Sequence, residues 1–147
     1  MTQPWTTLFQ INRAPLMALN LQGVSQEMAD RAPAPGVNSV TWILGHVVET
    51  RRWMLKEVFH IPNRSSAQEA SGLAGLSVAL DEIQAAMAEA FEAVPDWRAP
   101  RPHPFLNAPA PLEEIVGTFL QHEAYHAGQL GVARKLLGLE GAIKGPS

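Results

Sequence analysis

From Leu73 to Val94 the apolar side chains fall three or four residues apart: Leu73, Leu76, Leu80, Ile83, Met87, Phe91 (or Ala90) and Val94. That spacing lines one side of a helix and does not suit a strand, whose faces alternate at every second residue. A stripe this regular is the seam of a helix that packs against other helices. The same period recurs on either side of it. A first helix is predicted over about Thr6 to Gln22, with Leu8, Phe9, Ile11, Leu16 and Leu19 as its apolar set. Pro15 lies inside that helix, and proline lacks the backbone donor and tends to kink the chain. "SQEMAD" reads as a short turn before the loop "RAPAPGV".

A second helix is predicted from "NSVTW", where Asn38 or Ser39 can cap the free amides of the first turn. It carries Val40, Ile43, Leu44, Val47, Met54, Leu55 and Val58, and ends before Pro62. The third is the seam above. The fourth opens with Pro111 in its first turn and Glu113 and Glu114 near its positive end, and closes with Arg134 and Lys135 before Gly138. Between the third and fourth runs a connector, 95–111, "PDWRAPRPHPFLNAPAP", which holds six of the twelve prolines. Trp97, Phe105 and Leu106 predict that it packs onto the helices, and it is a candidate lid.

No convincing strand is visible. The expected class is all-α, a single domain over residues 1–147 built as a four-helix bundle. The link from the second to the third helix, about Ile61 to Gln68 plus fraying ends, is long enough for a crossover. About ten extended residues at roughly 3.3–3.6 Å each can return along a helix of about 30 Å.

Composition removes several function classes. A net charge of −3 and a pI near 5.9 argue against a nucleic-acid surface. Cysteine is absent, which excludes disulfides, thiolate ligands, iron–sulfur clusters and a cysteine nucleophile. The stretch "MTQPWTTLFQ" has no secretory pattern, and no run of 18 apolar residues occurs, so a soluble cytoplasmic protein without a membrane role is expected.

The fourth helix contains "HEAYH", His122 to His126, which fits the zinc-protease pattern H-E-x-x-H. Histidines four apart on a helix can share one metal ion. The protease also needs a third ligand. In the extended pattern H-E-x-x-H-x-x-G-x-x-H the last two marked positions are here Gln129 and Val132. The other arrangement takes a glutamate from a later helix, and the sole glutamate after His126 is Glu140, beyond the predicted helix end. No sheet is predicted to hold an extended peptide beside the metal. The protease reading therefore fails.

On a helical wheel His122 and His126 fall within a broad apolar face with Leu112, Ile115, Phe119, Gln129, Leu130, Ala133, Leu136 and Leu137, while Glu123 and Tyr125 lie at its flanks. The second helix has a matching feature. His46, in "WILGHVVE", stands between Trp42 and Ile43 a turn before and Glu49 and Thr50 a turn after, and Gly45 beside it permits close helix approach. An antiparallel or a parallel pairing of the two helices brings His46 to a similar height, so height does not choose the orientation. A lone histidine on an apolar face is commonly a hydrogen-bonded core residue. Three facing one interior are better explained by a shared metal, which gives each imidazole a partner. His46, His122 and His126 are the predicted metal ligands. His60 and His103 read as surface residues.

At these residues the chain resembles the DinB-like (DinB/YfiT-like) family of metalloenzymes, over essentially its full length. The resemblance rests on "NSVTWILGHVVE", with His46, and "HEAYHAGQLGVARKLLG", with His122 and His126, in that order and separation. It implies an up-down-down-up four-helix bundle with a crossover between helices two and three. It also implies a divalent metal, usually zinc or nickel, and a homodimer. Related members are S-transferases or isomerases that use a low-molecular-weight thiol. Pro15 departs from a regular first helix and bears on that helix, not on the metal site.

Three neutral histidines leave a metal position open for water or an external thiol. Glu123 is the candidate base, although pairing with a cation on a neighbouring helix is the preferred role for it. Glu49 is a candidate fourth ligand or hydrogen-bond acceptor, and Gln129 a candidate partner for His126. Arg13, Arg51 and Arg52 are candidates to attract an anionic cofactor. The expected function is a metal-dependent S-transferase or hydrolase acting on a small molecule. The alternative is a metal-binding stress-response or dimerisation module without chemistry.

Overall fold

The computed structural model describes residues 3–62 and 72–146. Four long helices dominate. They are α1 (Pro4–Arg13), α3 (Val40–Glu57), α4 (Leu73–Glu92) and α5 (Leu112–Leu136), with a five-residue helix α2 (Gln26–Asp30) where the short turn was expected. Each boundary has a local cause. The Ser39 hydroxyl accepts from the Trp42 amide at 3.1 Å and starts α3, so Ser39 rather than Asn38 is the cap. His60 ends that helix in the left-handed region, at φ 58°, while the Ile61 amide reaches back to the Leu55 carbonyl. Gln26 caps α4 from outside, its side-chain oxygen accepting from the Leu73 amide.

The first helix departs from expectation. It is α-helical only to Arg13 and continues as a π-helical turn over Ala14–Leu19. Pro15 is the physical reason: it has no amide to give and its ring crowds the carbonyl four residues back, a conflict that the wider turn relieves. The face that α1 buries runs through Phe9 and, seven residues on, Leu16. Phe9 and Leu16 are buried, whereas Leu8 and Ile11, expected in the apolar set, are exposed.

The helices pack pairwise, α1 against α4 and α5, and α3 against α4 and α5. Along α3 and α4, Arg51 meets Gln84 and Phe59 meets Phe91. Along α3 and α5, His46 meets His126 and Trp53 meets Phe119. The core between them includes Phe9, Leu80, Met87, Phe91, Ile115 and Leu130. The predicted seam of α4 is buried from Leu76 through Phe91, with Leu73 and Val94 half-buried at its ends. Most of the Ile61 to Gln68 link lies outside the described residues.

The absence of strands needs correction. The proline connector folds into a small antiparallel ribbon, β1 (Pro100–Pro102) and β2 (Pro109–Pro111), with Arg101 opposite Ala110. Proline cannot donate to a ladder and is confined to strand edges, and in this ribbon only the central pair has amides to offer. As predicted, the connector packs down: Trp97 lies against Trp5 and Phe91. Phe105, at the ribbon's tip, meets Trp53 of α3 and Phe119 of α5.

Candidate metal centre

The seam between α3 and α5 carries the three predicted histidines. His122 and His126 stand one turn apart on α5, and His46 comes from the facing turn of α3. Their Nε2 atoms converge: His46 to His122 is 3.3 Å, and His126 to His122 is 3.1 Å. One ligand atom from each residue lies within 4.8 Å of the other two, a group that could hold a metal ion. Tetrahedral zinc with Zn–N of about 2.0–2.1 Å separates its nitrogens by roughly 3.3–3.4 Å, so the His46–His122 spacing matches and the His126–His122 spacing is slightly short.

Several groups hold these rings. Trp42 stacks on His46, with centroids 5.0 Å apart and planes 12° apart. Gln129 Oε1 lies 2.7 Å from His126 Nδ1, so an Nδ1–H donates to the amide and the Nε2 lone pair is left facing the cluster. The Gln129 amide nitrogen in turn faces the Tyr125 hydroxyl at 3.4 Å. His122 Nδ1 is buried without a hydrogen-bond partner among the described residues. Burial, followed by the influence of His126, holds the His46 pKa below its usual 6.5. Burial, then His126, then His46 do the same to His122. Two neutral rings brought together in this way offer lone pairs rather than charge, which fits a cation as their common partner.

The histidines are nearer the surface than the wheel predicted. His126 is buried, but His46 and His122 are only half-buried. The centre of the inward face of α5 is instead Glu123. Its carboxylate accepts from Arg51 Nε at 2.7 Å and Nη2 at 2.6 Å, and the two side chains are 4% and 2% exposed. Arg51 also donates to Gln84 Oε1 and to the Phe9 carbonyl, and lies over the Phe9 ring. Asn12 approaches Glu123 at 3.4 Å. Glu123 thus pairs with a cation of a neighbouring helix.

Other assignments change. Glu49 is exposed and pairs with Arg52 at 2.7 Å, and it is not in the ligand group. Arg13 pairs with Asp81, so both Arg13 and Arg51 are engaged in ion pairs within the fold. His60 is exposed, as expected. His103 is buried, contrary to expectation: its Nδ1 accepts from the Phe105 amide at 3.1 Å and shapes the ribbon tip. Sequence reasoning also missed Trp53, although its position seven residues after His46 marks the same face of α3.

One cavity, of about 450 Å³, is lined by His46 with Trp42, Gly45 and Glu49. Another, of about 570 Å³, is bounded by Val37, Ile43, Tyr125, Gly128, Gln129 and Val132, and so reaches the hydrogen-bond partner of His126.

No curated protein matches the chain. A crystal structure of a conserved protein from Enterococcus faecalis is similar in fold, with a TM-score of 0.66 at 15% identity, over 90% of this chain and 94% of that one. The family match is to the DinB superfamily over residues 8–130, a span that includes all three histidines. By that match over most of its length, the chain belongs to the DinB superfamily.

Proposed function

We propose that this protein is a metal-dependent enzyme acting on a small molecule, either an S-transferase that uses an external low-molecular-weight thiol or a hydrolase. His46, His122 and His126 are the metal ligands, and zinc or nickel suits a set of three imidazoles. The observation that carries the reading is the convergence of three Nε2 atoms, one of them aimed by Gln129. A divalent ion bound there supplies a Lewis acid that makes water or a thiol easier to deprotonate.

The chain's own residues do the positioning. Gln129 keeps His126 in the tautomer whose Nε2 is free to ligate. Trp42 holds the plane of His46. Glu123 is bound to Arg51 and stands outside the proton chemistry in this reading. The half-exposure of His46 and His122 and the cavity lined by His46 favour an enzyme over a closed metal-binding module without chemistry. The described residues contribute no fourth acidic or histidine group to the set, which also suits a position open to an exogenous ligand.

The bundle itself is read as up-down-down-up, with α3 and α4 parallel, α1 and α5 parallel, and the other neighbours antiparallel. Support comes from Arg51–Gln84 with Phe59–Phe91 for α3 and α4, from Gln3–Glu92 with Arg13–Asp81 for α1 and α4, and from Trp5 beside Gly117 with Asn12–Glu123 for α1 and α5. A crossover between α3 and α4 follows from that arrangement. A homodimer is proposed on the family resemblance.

The first test is elemental analysis of the purified protein and of His46→Ala, His122→Ala and His126→Ala. Near-stoichiometric metal in the parent and its loss in each variant is expected; metal that survives all three substitutions defeats the site. Metal-loaded protein is then assayed with several thiols and electrophilic acceptors, and with model esters and amides. No turnover with any of them counts against the enzyme.

A further inference from the structure

The ring cluster beside the histidines has no role in holding them. Trp53, Phe105 and Phe119 touch one another, with centroids 5.2, 5.2 and 5.7 Å apart. Phe119 is buried, yet Trp53 is 37% and Phe105 47% exposed. Trp53 follows His46 by seven residues on α3, almost the same helical face, and Phe119 precedes His122 by three on α5. At 1.5 Å per residue, the rings begin about 5–10 Å along the seam from the histidines.

The tip is held rather than loose. Buried His103 accepts from the Phe105 amide, and the β1–β2 ribbon brings both ends of the tip back together. Exposed aromatic surface presented by a fixed loop is a preformed wall, and such a wall lowers the entropy cost of binding a flat apolar group. Closer to the histidines, Thr50 spends its hydroxyl on the His46 carbonyl, and Glu123 with Arg51 faces the core. Glu49, between His46 and Trp53 on α3, is paired with Arg52, so the unpaired surface that Trp53 and Phe105 present is aromatic.

From this geometry we infer that the site selects substrates bearing an aromatic or similarly flat apolar group, seated against Phe105 and Trp53, with Phe105 as the specificity-determining residue. The inference rests on the metal reading above, because the metal orients the reacting end of the substrate. The seat is built on the same two helices as that site, about 5–10 Å along them, a span of the order of a substituted phenyl group.

Two hydroxamates test it on the zinc-loaded protein. Propanohydroxamate and 3-phenylpropanohydroxamate chelate alike and differ by one phenyl ring. Their affinities are compared by calorimetry in the parent, Phe105→Ala, Trp53→Ala and, as a distant control, Ile11→Ala. The phenyl compound is expected to bind about tenfold or more tightly in the parent and in Ile11→Ala. In Phe105→Ala and Trp53→Ala that ratio should fall to about twofold or less. Thermal unfolding of each variant guards against loss of the fold, and Phe105→Leu, which keeps apolar bulk without the ring, should retain an intermediate ratio. If propanohydroxamate binds but the ring adds nothing, or its advantage survives both alanine variants, the aromatic seat is wrong and the metal site stands. If zinc is not retained, or neither hydroxamate binds it, the metal reading falls and this inference falls with it.

Discussion

Replacing Glu123 by Gln removes one charge from the core and almost no volume, so the response isolates the electrostatic part of the Arg51–Glu123 pair. In the native protein two charge-assisted hydrogen bonds, at 2.7 and 2.6 Å, satisfy a guanidinium that is 2% exposed. The amide can still accept one of these bonds, without its charge. Its NH2 group must then face another donor of the same guanidinium. Gln84 and the Phe9 carbonyl remain as neutral partners. Severing a buried pair from one side costs about 3–5 kcal/mol, and the retained bond places the expected loss near the lower limit, about 3 kcal/mol. For a chain of this size that is a fall in Tm of roughly 6–12 °C. The assay is urea unfolding followed by circular dichroism, at matched metal occupancy. The double variant Arg51→Met with Glu123→Leu should recover most of the loss, because a packed apolar pair needs no counter-charge. A catalytic glutamate behaves otherwise: its amide variant would lose turnover at nearly unchanged stability. A loss below about 0.5 kcal/mol in Glu123→Gln would refute the reasoning, since no buried charge could then have been stranded.

The other predictions concern the histidines. Gln129→Ala frees His126 Nδ1 from its acceptor and should weaken metal binding about tenfold, measured by competition with a chelator, while Gln129→Glu should hold or strengthen it. Unchanged affinity in Gln129→Ala would mean that the hydrogen bond does not orient the ring. The metal-free protein should also lose stability as the pH falls below about 6.5. His46 and His122 have folded pKa values below that of the unfolded chain, so between the two values the unfolded state binds more protons. Above 6.5 both states are neutral and the effect vanishes; below the folded values the whole penalty is present. Unfolding curves from pH 8 to pH 5 should therefore steepen below 6.5 in the parent and flatten in His46→Gln and His122→Gln; equal slopes would contradict the shifts.

Residues whose packing is apolar and local were readable in the sequence. The α4 seam is one case, since a three-and-four spacing has one helical solution and Leu76, Leu80, Ile83 and Met87 all take it. The capped start of α3 at Ser39 is another. The first helix was harder, because the register after Pro15 depends on whether the chain kinks or widens. Ile11, two residues after buried Phe9, stands on the far side of α1 and is 60% exposed. The ribbon at 100–102 and 109–111 carries no strand pattern, because its register is set by contacts of Trp97 and Phe105 with distant helices. His103 was misread for the same reason: its burial follows from the fold of the tip.

The charged core pair was hidden by a different rule. Apolar patterning assigns Glu123 and Arg51 outward because each alone is costly to bury, and only their joint burial makes the inward position favourable. That joint burial bears directly on the three histidines proposed as ligands. His122 and Glu123 are consecutive and therefore about 100° apart, so whatever fixes the rotation of Glu123 fixes that of His122. Apolar contact is non-directional and tolerates small rotations, whereas a two-bond guanidinium–carboxylate pair does not. A turn of 20° about the axis would carry an imidazole Nε2 by roughly 2 Å, well beyond the tolerance of about 0.5 Å of a ligand set. Arg51, five residues after His46 on α3, anchors the other side of the same constraint. In "HEAYH" the glutamate thus stands beside the histidines, about 60° around the helix from His126, and its pair with Arg51 resists rotation of α5 against α3.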